Sequence, residues 1–123
     1  MTYTEIAIDF LLLAATKDVH IAFERYVDMD RFKHHNAYFA GDAQTLLNAM
    51  RLSAVEAPDK IIDIQQTISQ DQSVAIHSWI RQNQEDRGAA VIHIFRFEGD
   101  KIVELWDFGQ AVPKYMENEN GMF

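Results

Sequence analysis

Residues Val91 to Phe108 read VIHIFRFEGDKIVELWDF, and the way this stretch folds back on itself decides the architecture. It has the pattern of two half-buried strands joined by a tight turn around Gly99. Side chains alternate across a strand, so His93, Phe95 and Phe97 share one face while Ile92, Ile94 and Arg96 share the other. Turn length then selects their partners. A two-residue loop, Gly99 and Asp100, sets Phe97 opposite Ile102 and brings Glu104 and Trp106 to the His93 face. A three-residue loop, Gly99 to Lys101, brings Val103, Leu105 and Asp107 there instead. The second register is favoured, because it buries Val103 and Leu105 rather than Glu104 and leaves Arg96 and Glu104 as a cross-strand ion pair on the far face. His93 and Asp107 then point together into the concave side of the sheet.

Upstream of the hairpin the pattern stays strand-like as far as Pro58. KIIDIQQTISQ alternates Ile62, Ile64, Gln66 and Ile68 against Ile61, Asp63, Gln65 and Thr67, with a turn near Asp71, and SVAIHSWIRQ follows as a second strand before the QEDRG loop. Before Pro58 the period is helical. A first helix is expected from an N-cap at Thr4 to about Ala15, with Ile6, Phe10, Leu13 and Ala14 on one side. A second is expected after Asp18, with Val19, Ala22, Phe23 and Tyr26 sharing a face. A third should start at Asp42 and carry Leu46, Leu47, Met50 and Val55 until Pro58 stops it. Between the last two, a short extended piece is expected around Phe32 to Asn36. Helices first and a strand meander after them predict one α+β domain over residues 1–123, its N-terminal helices packed on a curved antiparallel sheet.

Composition narrows the function classes. The 123 residues are 48% hydrophobic and 24% charged, which suits an ordinary globular chain. A net charge of −8 argues against nucleic-acid binding, where affinity comes from clustered Lys and Arg. No cysteine is present, so thiol nucleophiles and thiolate metal sites are excluded, and a reducing cytoplasm is the expected compartment. The apolar run IAIDFLLLAA is interrupted by Asp9 and is too short to span a bilayer, so no membrane association is expected.

The order of elements, FERYVDMDRFKHHNAYFAGDAQTLLNAM, then VAIHSW, then IFRFEGDKIVELWDF, resembles the SnoaL-like polyketide cyclase group of the NTF2-like (nuclear transport factor 2-like) superfamily. The resemblance runs from about Glu5 to Pro113, with HHN before a Gly-Asp and the ending GDKIVELWD as its most specific parts. It implies a cone-shaped α+β barrel with an apolar pocket at its open end, usually in a homodimer, and acid-base chemistry without metal or organic cofactor. It also implies that His35 and Asn36 lie near the cavity mouth, with Tyr38 as a nearby donor, and it leans toward His77 and Trp79 near the cavity. This chain departs from several members in carrying His93 where they have an acid and Leu105 where they have a histidine.

The candidate site therefore comprises Asp107, His93 and His35 as acid-base groups, with His77, Trp79, Tyr38, Asn36 and Phe95 as ligand contacts. A carboxylate beside an imidazole fixes its tautomer and raises its pKa, and either group can take a proton from a carbon alpha to a carbonyl. The expected ligand is a small apolar carbonyl compound, and the expected reaction an aldol cyclisation or isomerisation. The alternative is a ligand-binding or structural dimeric module whose polar residues only orient a guest. His77 alternates with Trp79 opposite Val74, Ile76, Ser78 and Ile80, and the pattern alone leaves open which face lines the pocket. His35, His77 and His93 lack the spacing that preforms a metal site, and no G-x-S-x-G elbow occurs. On the far face, Trp106 beside Ile92, Ile94 and Ile102 forms an apolar patch that a homodimer would cover.

Overall fold

The computed structural model describes residues 1–123. Helices α1 (Tyr3–Ala14) and α2 (Val19–Tyr26) come first, followed by a two-residue strand β1 (Lys33–His34) and helix α3 (Ala43–Glu56). Four long strands complete the chain: β2 (Ile61–Gln70), β3 (Ser73–Arg81), β4 (Ala89–Glu98) and β5 (Lys101–Ala111). They form one curved, open sheet in the order β1-β5-β4-β3-β2. The α+β class holds, but the sheet is mixed rather than purely antiparallel, because β1 runs parallel to β5 at its edge.

Local chemistry explains the helix boundaries. Helix α1 begins two residues earlier than expected, capped by Thr2 rather than Thr4. Thr2 Oγ1 accepts the Glu5 N–H and a Glu5 carboxylate oxygen accepts the Thr2 N–H, a reciprocal pair that the spacing Thr2-x-x-Glu5 permits. Asp42 caps α3 by accepting the Thr45 N–H at 2.9 Å. In α3 the buried stripe runs through Leu46, Leu47 and Ala54, with Met50 packed against it. Val55 is exposed, contrary to expectation, since it is five residues after Met50, one beyond Ala54, which holds the stripe position at i+4.

The helices close one end of the concave face through aromatic packing. Phe10 of α1 meets Phe95 of β4 edge-on at 5.8 Å and Phe23 of α2 at 5.3 Å between ring centroids. Tyr3 stacks on Phe97 at 4.4 Å. Phe10, Phe23, Phe95 and Phe97 are all buried, and each such side chain contributes roughly 1.5–3 kcal/mol of burial.

Two β-bulges set which side chains face inward. In β2 the pairing shifts between Ile64 and Gln66, so Gln65 is an extra residue and the expected dry face is split. Ile64 stays inside opposite buried Ser78, while Gln66 and Ile68 turn outward opposite His77 and Ala75. The β4–β5 hairpin uses both candidate registers. Next to the turn, where Gly99 has a φ of 58° that glycine adopts without strain, Phe97 pairs with Ile102 and Glu98 with Lys101. A shift between Arg96 and Phe97 makes Val103 the extra residue, and beyond it Arg96 pairs with Glu104, Phe95 with Leu105 and His93 with Asp107. The bulge carries Ile102 into the core, so it is not part of the outer patch. Val103 is buried outside the main core cluster, bordering a groove with Arg96 and Glu98.

The outer face carries Ile92, Ile94 and Trp106 with Arg96, whose Nε donates to Glu104 Oε1 at 2.7 Å, the cross-strand pair expected there. The chain's last residue, Phe123, stacks near His77 and Trp79 at 5.6 and 5.4 Å on this same face.

Candidate functional site

The open end of the concave face holds a cavity of about 240 Å³. Its wall is mainly apolar, built from Leu11, Ala14 and Ala15 of the α1 region, Leu46, Ala49 and Met50 of α3, Phe39 of the β1–α3 connection, and Ile62 and Ile80 of the sheet. Five polar side chains break it: His34, His93, Asp107, Ser53 and Lys60.

The register of β4 and β5 puts His93 and Asp107 side by side on the inner face, Cβ atoms of such opposed residues lying roughly 5 Å apart. They do not hydrogen-bond to each other. Asp107 is held instead by the segment at the sheet edge: His34 Nε2 lies 3.2 Å from Asp107 Oδ2, and Asn36 Nδ2 donates to Asp107 Oδ1 at 2.8 Å. These contacts keep the Asp107 carboxyl below the usual aspartate range, the His34 hydrogen bond most of all, against the opposing effect of burial. His93 sits deeper, against the Phe95 ring at 6.1 Å. Burial pushes its pKa down to about 4, with the Asp107 charge resisting the shift and His34 adding to it. At neutral pH the site is thus an ionised carboxylate anchored by two donors beside an uncharged imidazole whose Nδ1 has no hydrogen-bond partner.

Strand β1 fixes which histidine of the pair enters. His34 is in register with Leu105 on the inner face and Lys33 with Glu104 on the outer face, while the His34 N–H donates to Gly41 O and the His35 N–H to Leu105 O. A Cβ on Gly41 would come within 3.1 Å of the His34 carbonyl oxygen, so glycine suits this close return of the chain. The expectation that His35 enters the cavity is corrected. His35 lies on the opposite side, its Nε2 2.6 Å from Glu104 Oε2 and its ring stacked on Trp106 at 4.7 Å. Adjacent residues of an extended segment cannot share a face, so Asn36 in the site requires His34, two residues before it, rather than His35.

The other candidates divide in the same way. His77 and Trp79 belong to the outer face, where Gln66, Arg87 O and Phe123 are their neighbours, because buried Val74, Ile76 and Ser78 claim the inner one. Tyr38 is 92% exposed and does not line the cavity. Phe95 is a core residue beneath His93 rather than a wall of the cavity. No group of three or more His, Asp or Glu side chains is arranged to hold a metal ion. His34 and His35 are adjacent and point to opposite sides, and the inward one is His34, for which the i, i+2 relation to Asn36 is the signal in the sequence; Ser53 and Lys60 also line the cavity, and a lone lysine before a strand carries no such signal.

No family sequence model and no curated protein sequence matches the chain. Solved structures do match. IdmH of Streptomyces antibioticus, a proposed polyketide cyclase, superposes with a TM-score of 0.73 at 14% identity over 91% of this chain and 94% of its own. A proposed isomerase of the SnoaL-like family from Agrobacterium tumefaciens gives 0.72 at 9% identity, over 88% and 97%. An NTF2-like protein of unknown function from Cytophaga hutchinsonii gives 0.70 at 14% identity, over 89% and 91%. The chain has the NTF2-like fold. Within this NTF2-like frame, no helix is long and apolar enough to cross a membrane.

Burying an uncharged histidine has a consequence for stability. The unfolded chain protonates this residue near pH 6.5 and the folded chain only near 4, so the stabilisation is complete above pH 6.5 and is lost as pH falls through that window. The loss from His93 alone should be on the order of 3 kcal/mol. Urea unfolding midpoints measured from pH 7 to 4 should fall in the wild type and fall less in His93→Gln; parallel profiles for the two proteins would show that His93 is not buried uncharged.

Proposed function

We propose that this protein is a cofactor-free acid-base enzyme that removes a proton from a carbon alpha to a carbonyl in a small, largely apolar ligand, as in an aldol cyclisation or isomerisation. The observation that carries this reading is the convergence of His34, His93 and Asp107 on an apolar cavity. His93 is the proton acceptor: it is uncharged at neutral pH, its ring makes no hydrogen bond that substrate would have to break, and the residue lines the cavity. Asp107, across the hairpin, stabilises the imidazolium as it forms. His34 and Asn36 hold that carboxylate in place, which is a positioning role. The solved neighbours described as a proposed cyclase and a proposed isomerase agree with such chemistry. The second reading, a pocket that binds without reacting, is favoured by the low basicity of His93 in the free protein.

Deuterium uptake at the alpha carbon of phenylacetone, followed by NMR in D2O, separates the two. The wild type should accelerate uptake, His93→Gln should abolish the acceleration, and Asp107→Asn should reduce it by about 10²-fold or more, with ligand-induced shifts at the cavity retained in both variants. Shifts without uptake in the wild type would favour the binding module.

We also infer a homodimer, working in the cytoplasm that a cysteine-free chain suits, formed through the outer sheet face. Ile68 and Phe108 are 62% and 65% exposed there, beside partly covered Ile92, Ile94 and Trp106. Light scattering should give twice 14.2 kDa at micromolar concentration; a monomer mass would contradict it.

A further inference from the structure

The polar groups of the cavity form two separate poles, and the acid-base chemistry uses only one. His34, His93 and Asp107 come from β1, β4 and β5 at one side of the sheet, whereas Lys60 immediately precedes β2 at the other and Ser53 lies on α3. Strands β5 and β2 are three strand spacings apart, each about 4.8 Å. Lys60 is the one Lys or Arg among the lining residues. It is partly buried, its ammonium donates a hydrogen bond to Ser53 Oγ, and no carboxylate pairs with it. Asp59, Glu85 and Asp86 border neighbouring surface grooves that Lys60 also reaches, yet none forms an ion pair with it. An ammonium has three N–H donors, so two remain after the bond to Ser53.

A partly buried cation without a counterion, at one end of a mainly apolar cavity, is matched by an anion that arrives with the ligand. Burial alone holds the Lys60 pKa below the ordinary lysine value, and an anionic ligand would reverse that effect. In a chain of net charge −8 such a local cation is also what admits an anion at all. The carboxylate of Asp107 at the far pole repels a second anion and so orients it toward Lys60. Size limits the rest of the ligand, since a cavity of roughly 150 Å³ admits benzene and this one measures about 240 Å³.

We propose that Lys60 and Ser53 form an anion-binding end of the cavity, and that the ligand is a small carboxylate of one ring or a short branched chain. Its carboxylate contacts Lys60 while the carbon to be deprotonated faces His93. The orientation of the reacting carbon rests on the acid-base reading above; the anion site rests on the surroundings of Lys60 alone.

The test uses a matched pair of probes, cyclohexanecarboxylate and cyclohexanecarboxamide, with affinities measured at neutral pH by NMR titration of the full-length protein. The wild type should bind the carboxylate at least 10-fold more tightly than the amide. Lys60→Met should remove that preference while leaving amide affinity within about 2-fold, and Ser53→Ala should weaken carboxylate binding by a smaller factor. His93→Gln should keep the preference intact, which separates a failure of the acid-base reading from a failure of the anion site. Equal affinities in the wild type, no binding of either probe at millimolar concentration, or a preference that survives Lys60→Met would overturn the proposal. So would a lowered thermal midpoint in Lys60→Met with unchanged selectivity, the result expected if Lys60 only steadies the C-terminal turn of α3. Capture of a keto acid by borohydride at Lys60 would likewise overturn it, by showing an amine nucleophile in place of an ammonium anchor.

Discussion

The register of β4 against β5 is the constraint on which the rest of the structure depends. One inserted residue, Val103, shifts the pairing from the frame imposed by the turn to the frame that places Leu105 and Asp107 inside. Without it, the side-chain period of two would send Glu104 and Trp106 into the cavity and Asp107 to the surface. The bulge satisfies two demands that a regular hairpin cannot meet together: a tight two-residue turn beside Ile102, and an ion pair between Arg96 and Glu104 kept on the outer face.

From that register the site follows in steps. Strand β1 adds to the free edge of β5 in the frame that matches His34 with Leu105, so His34 and Asn36 reach the carboxylate while His35 joins Glu104 and Trp106 outside. The two acidic residues of β5 thereby acquire different characters. Glu104 is raised by burial but brought below the usual range overall by Arg96 and His35, and serves the outer face. Asp107, anchored by His34 and Asn36, serves the cavity. Two carboxylates three residues apart lie on opposite faces in either register, and the single extra residue between the turn and the first of them decides which one faces the cavity.

Much of the fold was legible because long periodic segments carry their own evidence. The helices α1, α2 and α3 and the four long strands follow from apolar spacing and from Asp18, Asp42 and Pro58 as boundaries. Parity was harder. The bulges at Gln65 and Val103 leave no mark in the alternation itself, so Ile68 and Ile102 were placed on the wrong faces while Asp107 was placed on the correct one. His35 failed for a different reason: the resemblance pointed to a histidine near Asn36, but only pairing with Leu105 decides which of two adjacent histidines turns inward. Tyr38, His77 and Trp79 lie outside the cavity because exposure and the competing claim of Val74, Ile76 and Ser78 are tertiary facts. Lys60 became visible only when the cavity brought β2 and α3 together.

Asp107 and an uncharged His93 share one mainly apolar cavity, and the proton affinity of His93 reads that arrangement directly. An NMR titration of the histidine ring resonances should place His93 at about pH 4, well below an exposed histidine. Because the Asp107 charge raises that value, Asp107→Asn should move it lower still, with the fold unchanged. A His93 that titrates near 6.5 in the wild type, or one indifferent to the loss of the carboxylate, would contradict the account.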